Sequence, residues 1–194
     1  MSESTGDGVE PAAWLVRGGE RGEREETAFG EGLVIVGWKK LGDLSGCGTR
    51  EGVRQALTAA YPEAAANVIA NWTGQLWRFR EQISAGDLVV MPLKTSPGRV
   101  AVGRVTGPYE YRAQAPEDSR HVRPVQWLRT DLPREVFRPD LRASITSLLT
   151  VCGLTRNDAA RRVRHLAKRG TDPGLDGTGS AAARARSTAL DHKG

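Results

Sequence analysis

The chain alternates between short apolar runs and strongly polar connections, and the spacing of those runs predicts the elements. Residues Leu33 to Val36 are four consecutive aliphatics followed at once by GWKKLGDLS. This predicts a buried strand that delivers Trp38 into a loop carrying Lys39, Lys40 and Asp43. Upstream, AAWLVRGG reads as a short strand with Trp14 and Val16 on one side, ended by Gly18 and Gly19. Residues 20–31 are polar and strongly charged and form a loop or a short exposed helix.

After the Trp38 loop the period changes. Thr49 is placed to cap a helix over 50–60, and Pro62 opens a second one in which Val68, Trp72, Leu76, Phe79 and Ile83 form one apolar stripe. That stripe puts Trp72 in the core. Trp77 lies off it and must pack against another element, cover a pocket or stay exposed. The next stretch returns to a period of two: a Gly86-Asp87 turn, strands over 88–93 and 99–105 joined by a hairpin connection, a break at Gly107-Pro108, and a last strand over 121–130 with Val125 and Trp127 on one face. Two helices are expected over 141–151 and 156–168, the second opened by Thr155–Asp158, which resembles a capping box. The sum is an α+β fold, a small curled barrel of five to six strands with two helices inserted after the second strand. One domain over 12–169 is expected, with residues 1–11 and 170–194 too poor in large apolar side chains to fold.

Charge and composition narrow the class. The net charge of +5 resides in residues 161–194, where eight Lys/Arg face three Asp, while the first 160 residues carry 20 charges of each sign. A neutral body is unlike a non-specific DNA coat, and a basic end adds phosphate contacts or simply keeps itself solvated. No run approaches the roughly 18 apolar residues of a membrane span, and the acidic start MSESTGDGVEPAA lacks the features of a secretory signal. A cytoplasmic protein with no membrane partner is expected. Two separated cysteines, Cys47 and Cys152 (the latter in a helix), and three histidines give no metal-site spacing and no disulfide framework, so no metal and no cofactor are expected.

Catalytic chemistry is hard to assemble from these residues. His121, His165 and His192 fall in a strand start, a basic helix and the tail, and no phosphate-binding or zinc-protease motif is present. Asp87, Glu110 and Lys94 are the one set reminiscent of a metal-dependent nuclease, and Asp87 has the simpler role of a turn residue. The sequence reads as a binder and not an enzyme. Five Trp against three Phe and three Tyr favour a flat ligand such as a nucleobase. Trp38 at a strand end either stacks on such a ligand or caps the core.

The blocks AAWLVRGGERGEREETAF, GLVIVGWKKLGDLS, NWTGQLWRFREQISAGDLVVMPLK, VGRVTGPYEYR and RPVQWLRTDLPREVF together resemble the N-terminal recognition module of some bacterial Mrr-type restriction endonucleases over Ala13 to Val163. The nuclease domain that follows in those enzymes has no counterpart in these 194 residues. More distantly, the order of elements resembles the PUA-like superfamily, including EVE and YTH domains. In YTH domains the residue delivered by the second strand belongs to an aromatic cage around a methylated base, a position that carries over onto Trp38. The remaining cage aromatics lie in the loop before the final strand, where this chain offers Tyr109 and Tyr111. The resemblance thus implies a standalone reader of a modified base in double-stranded DNA, most simply 5-methylcytosine, related to modification-dependent restriction. The alternatives are an RNA-binding module of the same superfamily, or a nuclease or a component that recruits one. The implied pocket comprises Trp38, Arg17, Asp43, Ser45, Trp77, Tyr109 and Tyr111, with Lys39, Lys40, Lys94 and Arg99 on flanking phosphates.

Overall fold

The computed structural model describes residues 9–175. In chain order they form β1 (Ala13–Val16), α1 (Glu25–Glu31), β2 (Leu33–Val36), α2 (Arg50–Ala60) and α3 (Ala66–Trp77), which runs into a π-helical turn at Arg78–Gln82. Then come β3 (Leu88–Pro92), β4 (Arg99–Val105), β5 (Glu110–Tyr111), β6 (His121–Pro133), α4 (Pro139–Ser144), β7 (Val151–Gly153) and α5 (Ala159–Arg169).

The strands join in the order β2-β6-β4-β3-β1-β7, with β5 paired separately to the start of β6. All pairs are antiparallel except β1 with β3. The expected barrel is a half-barrel, because β2 and β7 end the path without pairing with each other. Side chains fill the open side. Val16, Val34, Val36, Val89, Val105, Val125 and Val151 share one apolar cluster with Val53, Leu57, Ile69, Leu76 and Phe79 from α2, α3 and the turn after it. Strand alternation sends the other residues to the opposite face, where Ala13, Leu15, Leu88, Val90, Val100 and Val102 meet Phe137, Leu141, Val163 and Leu166. The curl has a local cause in β4, whose register against β6 shifts between Val100 and Gly103. A Cβ at Gly103 would lie 2.4 Å from Val125 Cγ1, so only glycine lets the two strands approach there.

Three expectations about the C-terminal part change. The helix expected over 141–151 ends at Ser144, and Val151–Gly153 instead pairs antiparallel with β1, which also moves Cys152 from a helix to a strand. A three-residue edge strand has no periodicity of its own; it exists because Leu15 and Val16 lie opposite it and because Gln75 Oε1 accepts from the N–H groups of Thr150 (2.9 Å) and Val151 (3.1 Å). Thr155 does not cap α5, which starts from a left-handed Asp158 without a side-chain cap. The folded body also passes the expected boundary at 169, since Asp172 is buried against Arg162. The disorder expected for 1–8 and 176–194 concerns residues outside those described.

Asp87 is fully accounted for by structure. Its Oδ1 accepts from Ala12 N–H (3.0 Å), and its Oδ2 from Trp14 Nε1 (2.9 Å) and Ser84 N–H (2.9 Å), tying the start of β1 to the start of β3. Lys94 lies beyond the other end of β3, roughly 15–20 Å along a five-residue strand. Glu110 is an exposed residue of β5 beside Arg112, so the nuclease-like set does not assemble. Asp87→Ala strands three donors and is expected to lower unfolding free energy by about 3 kcal/mol, read by urea denaturation. Among the described residues no helix is long and apolar enough to cross a membrane.

Candidate functional site

β2 ends at Val36, and Gly37-Trp38 turn the chain out of the sheet. Trp38 has φ 56°, a left-handed conformation that costs a bulky residue about 1–2 kcal/mol and therefore persists only where its surroundings impose it. Those surroundings are a loop fastened from below. Leu41 N–H donates to Trp38 O (2.9 Å), and Arg80 holds the carbonyls of Leu44 and Ser45 (2.9 Å each). His121 Nε2 lies 3.2 Å from Leu41 O, which only accepts, so Nε2 carries the proton and Nδ1 accepts from the Tyr109 hydroxyl at 2.7 Å. Tyr109 Oη in turn accepts from Leu44 N–H (3.2 Å).

This chain requires a neutral imidazole. Burial pushes the His121 pKa down to about 4, partly opposed by its bond to Leu41, and burial pushes the Tyr109 hydroxyl up. Between about pH 4 and the unfolded value of about 6.5 only the unfolded chain binds this proton, so stability rises with pH across that window and is level above it. Thermal melts should show Tm falling as pH drops from 6.5 to 4, and His121→Gln should flatten that segment.

Beyond the loop, Trp38 lies edge-on to Trp72 (centroids 6.4 Å, interplanar 80°), and Trp72 edge-on to Tyr61 (5.0 Å, 67°). Tyr61 Oη accepts from Lys40 N–H at 3.2 Å, with Lys40 Nζ 5.8 Å from its ring centroid. The three rings line a cleft of about 480 Å³ together with the exposed Lys39 and Lys40 and with Glu23, Arg24 and Asp118. A second cleft of about 510 Å³ adjoins it through Glu20 and Thr150, which line both. It gathers Arg17, Lys94, Arg99 and Arg134, beside a 95% exposed Leu148.

The expected pocket is thus divided. Trp38, Lys39 and Lys40 share the aromatic cleft, and Arg17, Lys94 and Arg99 share the basic one. Arg17 spends Nε and Nη2 on the carbonyls of Ser147 (Nε, 2.8 Å) and Ile145 (Nη2, 3.2 Å), and burial, then the Arg134 charge, lower its pKa. Asp43 and Ser45 lie outside both clefts. Asp43 Oδ1 accepts from Ser45 N–H (2.8 Å), a turn-forming bond. Tyr109 and Tyr111 flank His121 (centroids 6.0 and 5.2 Å), and Tyr109 supports the loop through Leu44. Trp77 packs on the core cluster at the end of α3. Conversely, Trp72 is a half-buried cleft wall and not simply a core residue. Tyr61, at the end of α2, and Arg24 went unpredicted. Their only sequence signal is an aromatic at a helix terminus and one cation in a charged run.

The fold and its clefts define an α+β protein built on a curled half-barrel sheet, with an aromatic recess bordered by cations. Residues 14–153 match a domain of unknown function (DUF8426), and the chain belongs to that family. No curated protein matches. The crystal structure of protein Atu2648 from Agrobacterium tumefaciens is similar at 13% identity over 84% of this chain and 99% of that one, with a TM-score of 0.34.

Proposed function

We propose that this is a non-catalytic DNA-binding protein that takes a modified base, most simply 5-methylcytosine, out of a duplex and into the Trp38 cleft. The observation that carries the reading is that Trp38, Trp72 and Tyr61 line one open cleft of about 480 Å³, within the range of small-ligand sites, together with the exposed Lys39 and Lys40. Extruding a base costs a few kcal/mol, which stacking and edge hydrogen bonds must offset. The adjoining Lys94, Arg99 and Arg134 provide a track for flanking phosphates, and the exposed Leu148 an apolar wedge for the gap in the stack. The resemblance of the sequence blocks to the recognition module of Mrr-type enzymes, and more distantly to PUA-like domains, favours DNA and modification-dependent restriction, with any cutting left to a separate nuclease partner in the cytoplasm.

The test is a binding series with duplexes differing only in one cytosine or 5-methylcytosine, at two salt concentrations, with matched RNA as competitor. Preference for the methylated duplex that survives the higher salt is expected. Equal binding to both duplexes overturns the reading, and displacement by RNA alone redirects it to an RNA-binding module.

A further inference from the structure

We propose that Arg24 reads the acceptor edge of the base held in the Trp38 cleft while Glu23 receives its amino group, making the site select cytosine-type bases over thymine and uracil; this rests on the base-reading proposal above. The starting observation is a buried guanidinium with almost nothing to do. The Arg24 side chain is 9% exposed, its Nε is buried without a hydrogen-bond partner among the described residues, and its one close charged contact is an ion pair of 3.5 Å from Nη1 to Glu23 Oε1. Other buried arginines here are committed. Arg162 directs its donors to Asp140, Asp172 and Asn157 O, and Arg123, whose Nε is also unpaired, still places both Nη groups on the carbonyls of Phe79, Arg80 and Gly107. Neither Nη group of Arg24 donates a hydrogen bond among the described residues, so their acceptors are left for a ligand in the cleft to supply.

The surroundings state what that ligand presents. Arg24 lines the aromatic cleft, and a Cβ at Gly37 would lie 3.3 Å from its Nη1, so the guanidinium lies against the residue that precedes the stacking ring. Beside it Glu23 is held ionised: burial alone would raise its pKa, and backbone N–H groups, Arg21's among them at 2.9 Å, together with the Arg24 charge bring it below the usual carboxylate range. A fork of donors next to an acceptor-only carboxylate complements a ring edge with two adjacent acceptors and an amino donor. Cytosine has that edge, with O2 and N3 beside N4. Thymine and uracil present a carbonyl to the carboxylate and an N–H to the guanidinium. The aromatic walls cannot make this distinction, because 5-methylcytosine and thymine share ring and methyl group.

The experiment compares duplexes carrying 5-methylcytosine, cytosine or thymine opposite the same guanine, bound by wild type, Arg24→Gln and Arg24→Lys, with thermal melts of each variant. The thymine mispair opens more easily, so a preference for 5-methylcytosine is earned against that advantage. Wild type is expected to prefer 5-methylcytosine over thymine by roughly 10- to 100-fold, the range of hydrogen bonds made to a charged group. Arg24→Gln should lose that preference while binding thymine as before, and Arg24→Lys should not restore it, since an ammonium lacks the planar fork. Should Arg24→Gln fail to fold, a pyridine C-nucleoside that keeps the amino and methyl groups but lacks the ring carbonyl replaces it, and wild type should bind it roughly 10-fold more weakly. Wild type that prefers 5-methylcytosine over cytosine yet holds thymine equally well overturns the edge reading and leaves the stacking cleft in place. Wild type indifferent to methylation removes both.

Discussion

Asp172→Ala is expected to lower the unfolding free energy by about 3–5 kcal/mol, or a Tm drop of roughly 10 °C, the cost of stranding several buried donors at once while Arg162 keeps only Asp140 as a charged partner. Arg162 is fully buried on α5. Its Nε and Nη2 donate to Asp172 Oδ1 and Oδ2 at 2.8 Å each, its Nη1 and Nη2 to Asp140 at 2.6 and 2.9 Å, and its Nη1 also to Asn157 O at 3.1 Å. Asp172 accepts further from Arg138 N–H and Gly174 N–H, both at 2.8 Å. Removing its carboxylate therefore leaves two guanidinium donors and two backbone donors without partners. The acid limb gives an independent reading. The Arg162 guanidinium holds the Asp140 pKa down to about 2, and at Asp172 burial, which alone would raise the pKa, is outweighed by Arg162 and the two backbone donors. Both carboxyls then take up protons more readily unfolded than folded, so this stabilisation is complete above the unfolded value of about 3.9 and is lost as pH falls toward 2. In Asp172→Ala the Asp172 share of that dependence disappears. Urea denaturation at pH 7 and pH 3 measures both effects; a variant as stable as wild type at pH 7 would show that the pair contributes nothing.

This cluster illustrates which parts of the molecule are written locally in its sequence. β1 to β4, β6 and α2 follow from periodicity and turn residues, and Thr49 caps α2 as its position implies, accepting from Gly52 N–H at 3.0 Å. What periodicity misses is set by partners far along the chain. β7 depends on β1 and Gln75, and Asp172, in a Gly- and Asp-rich stretch that looks like a tail, is ordered by an arginine ten residues earlier. The site divides the same way. Trp38 was legible because an aliphatic strand ends just before it, and Lys39 and Lys40 follow in sequence. Tyr61 and Trp72 belong to helices whose apolar faces look like any other core stripe, and only the path of the 37–45 loop decides that part of that face stays open. Arg17 was placed by its position after a strand, yet the chain from Ile145 to Thr150 passes over it and takes its donors.

Trp38→Ala is expected to weaken binding to a methylated duplex by roughly 5- to 100-fold, the measured worth of one aromatic stacking on one base, while leaving the weaker binding to unmethylated DNA nearly unchanged. Two features make the substitution diagnostic. The ring is half-buried and bears on Trp72, so the loss of packing will also cost stability, and a melt must accompany the binding curve. The backbone at φ 56° supplies the control: glycine adopts that conformation freely, so Trp38→Gly should be the more stable of the two variants, by about 1 kcal/mol, and yet bind no better. Were the binding defect merely a consequence of a loosened loop, affinity would follow stability from alanine to glycine. If the flat ring is what the base needs, Trp38→Phe retains most of the affinity and both small residues lose it alike. Charge reversal at Lys94 or Arg99 in the basic cleft separates the other contribution, because loss of a phosphate contact weakens all duplexes together and shallows the salt dependence, whereas loss of the stack should erase the preference between duplexes and leave that slope unchanged.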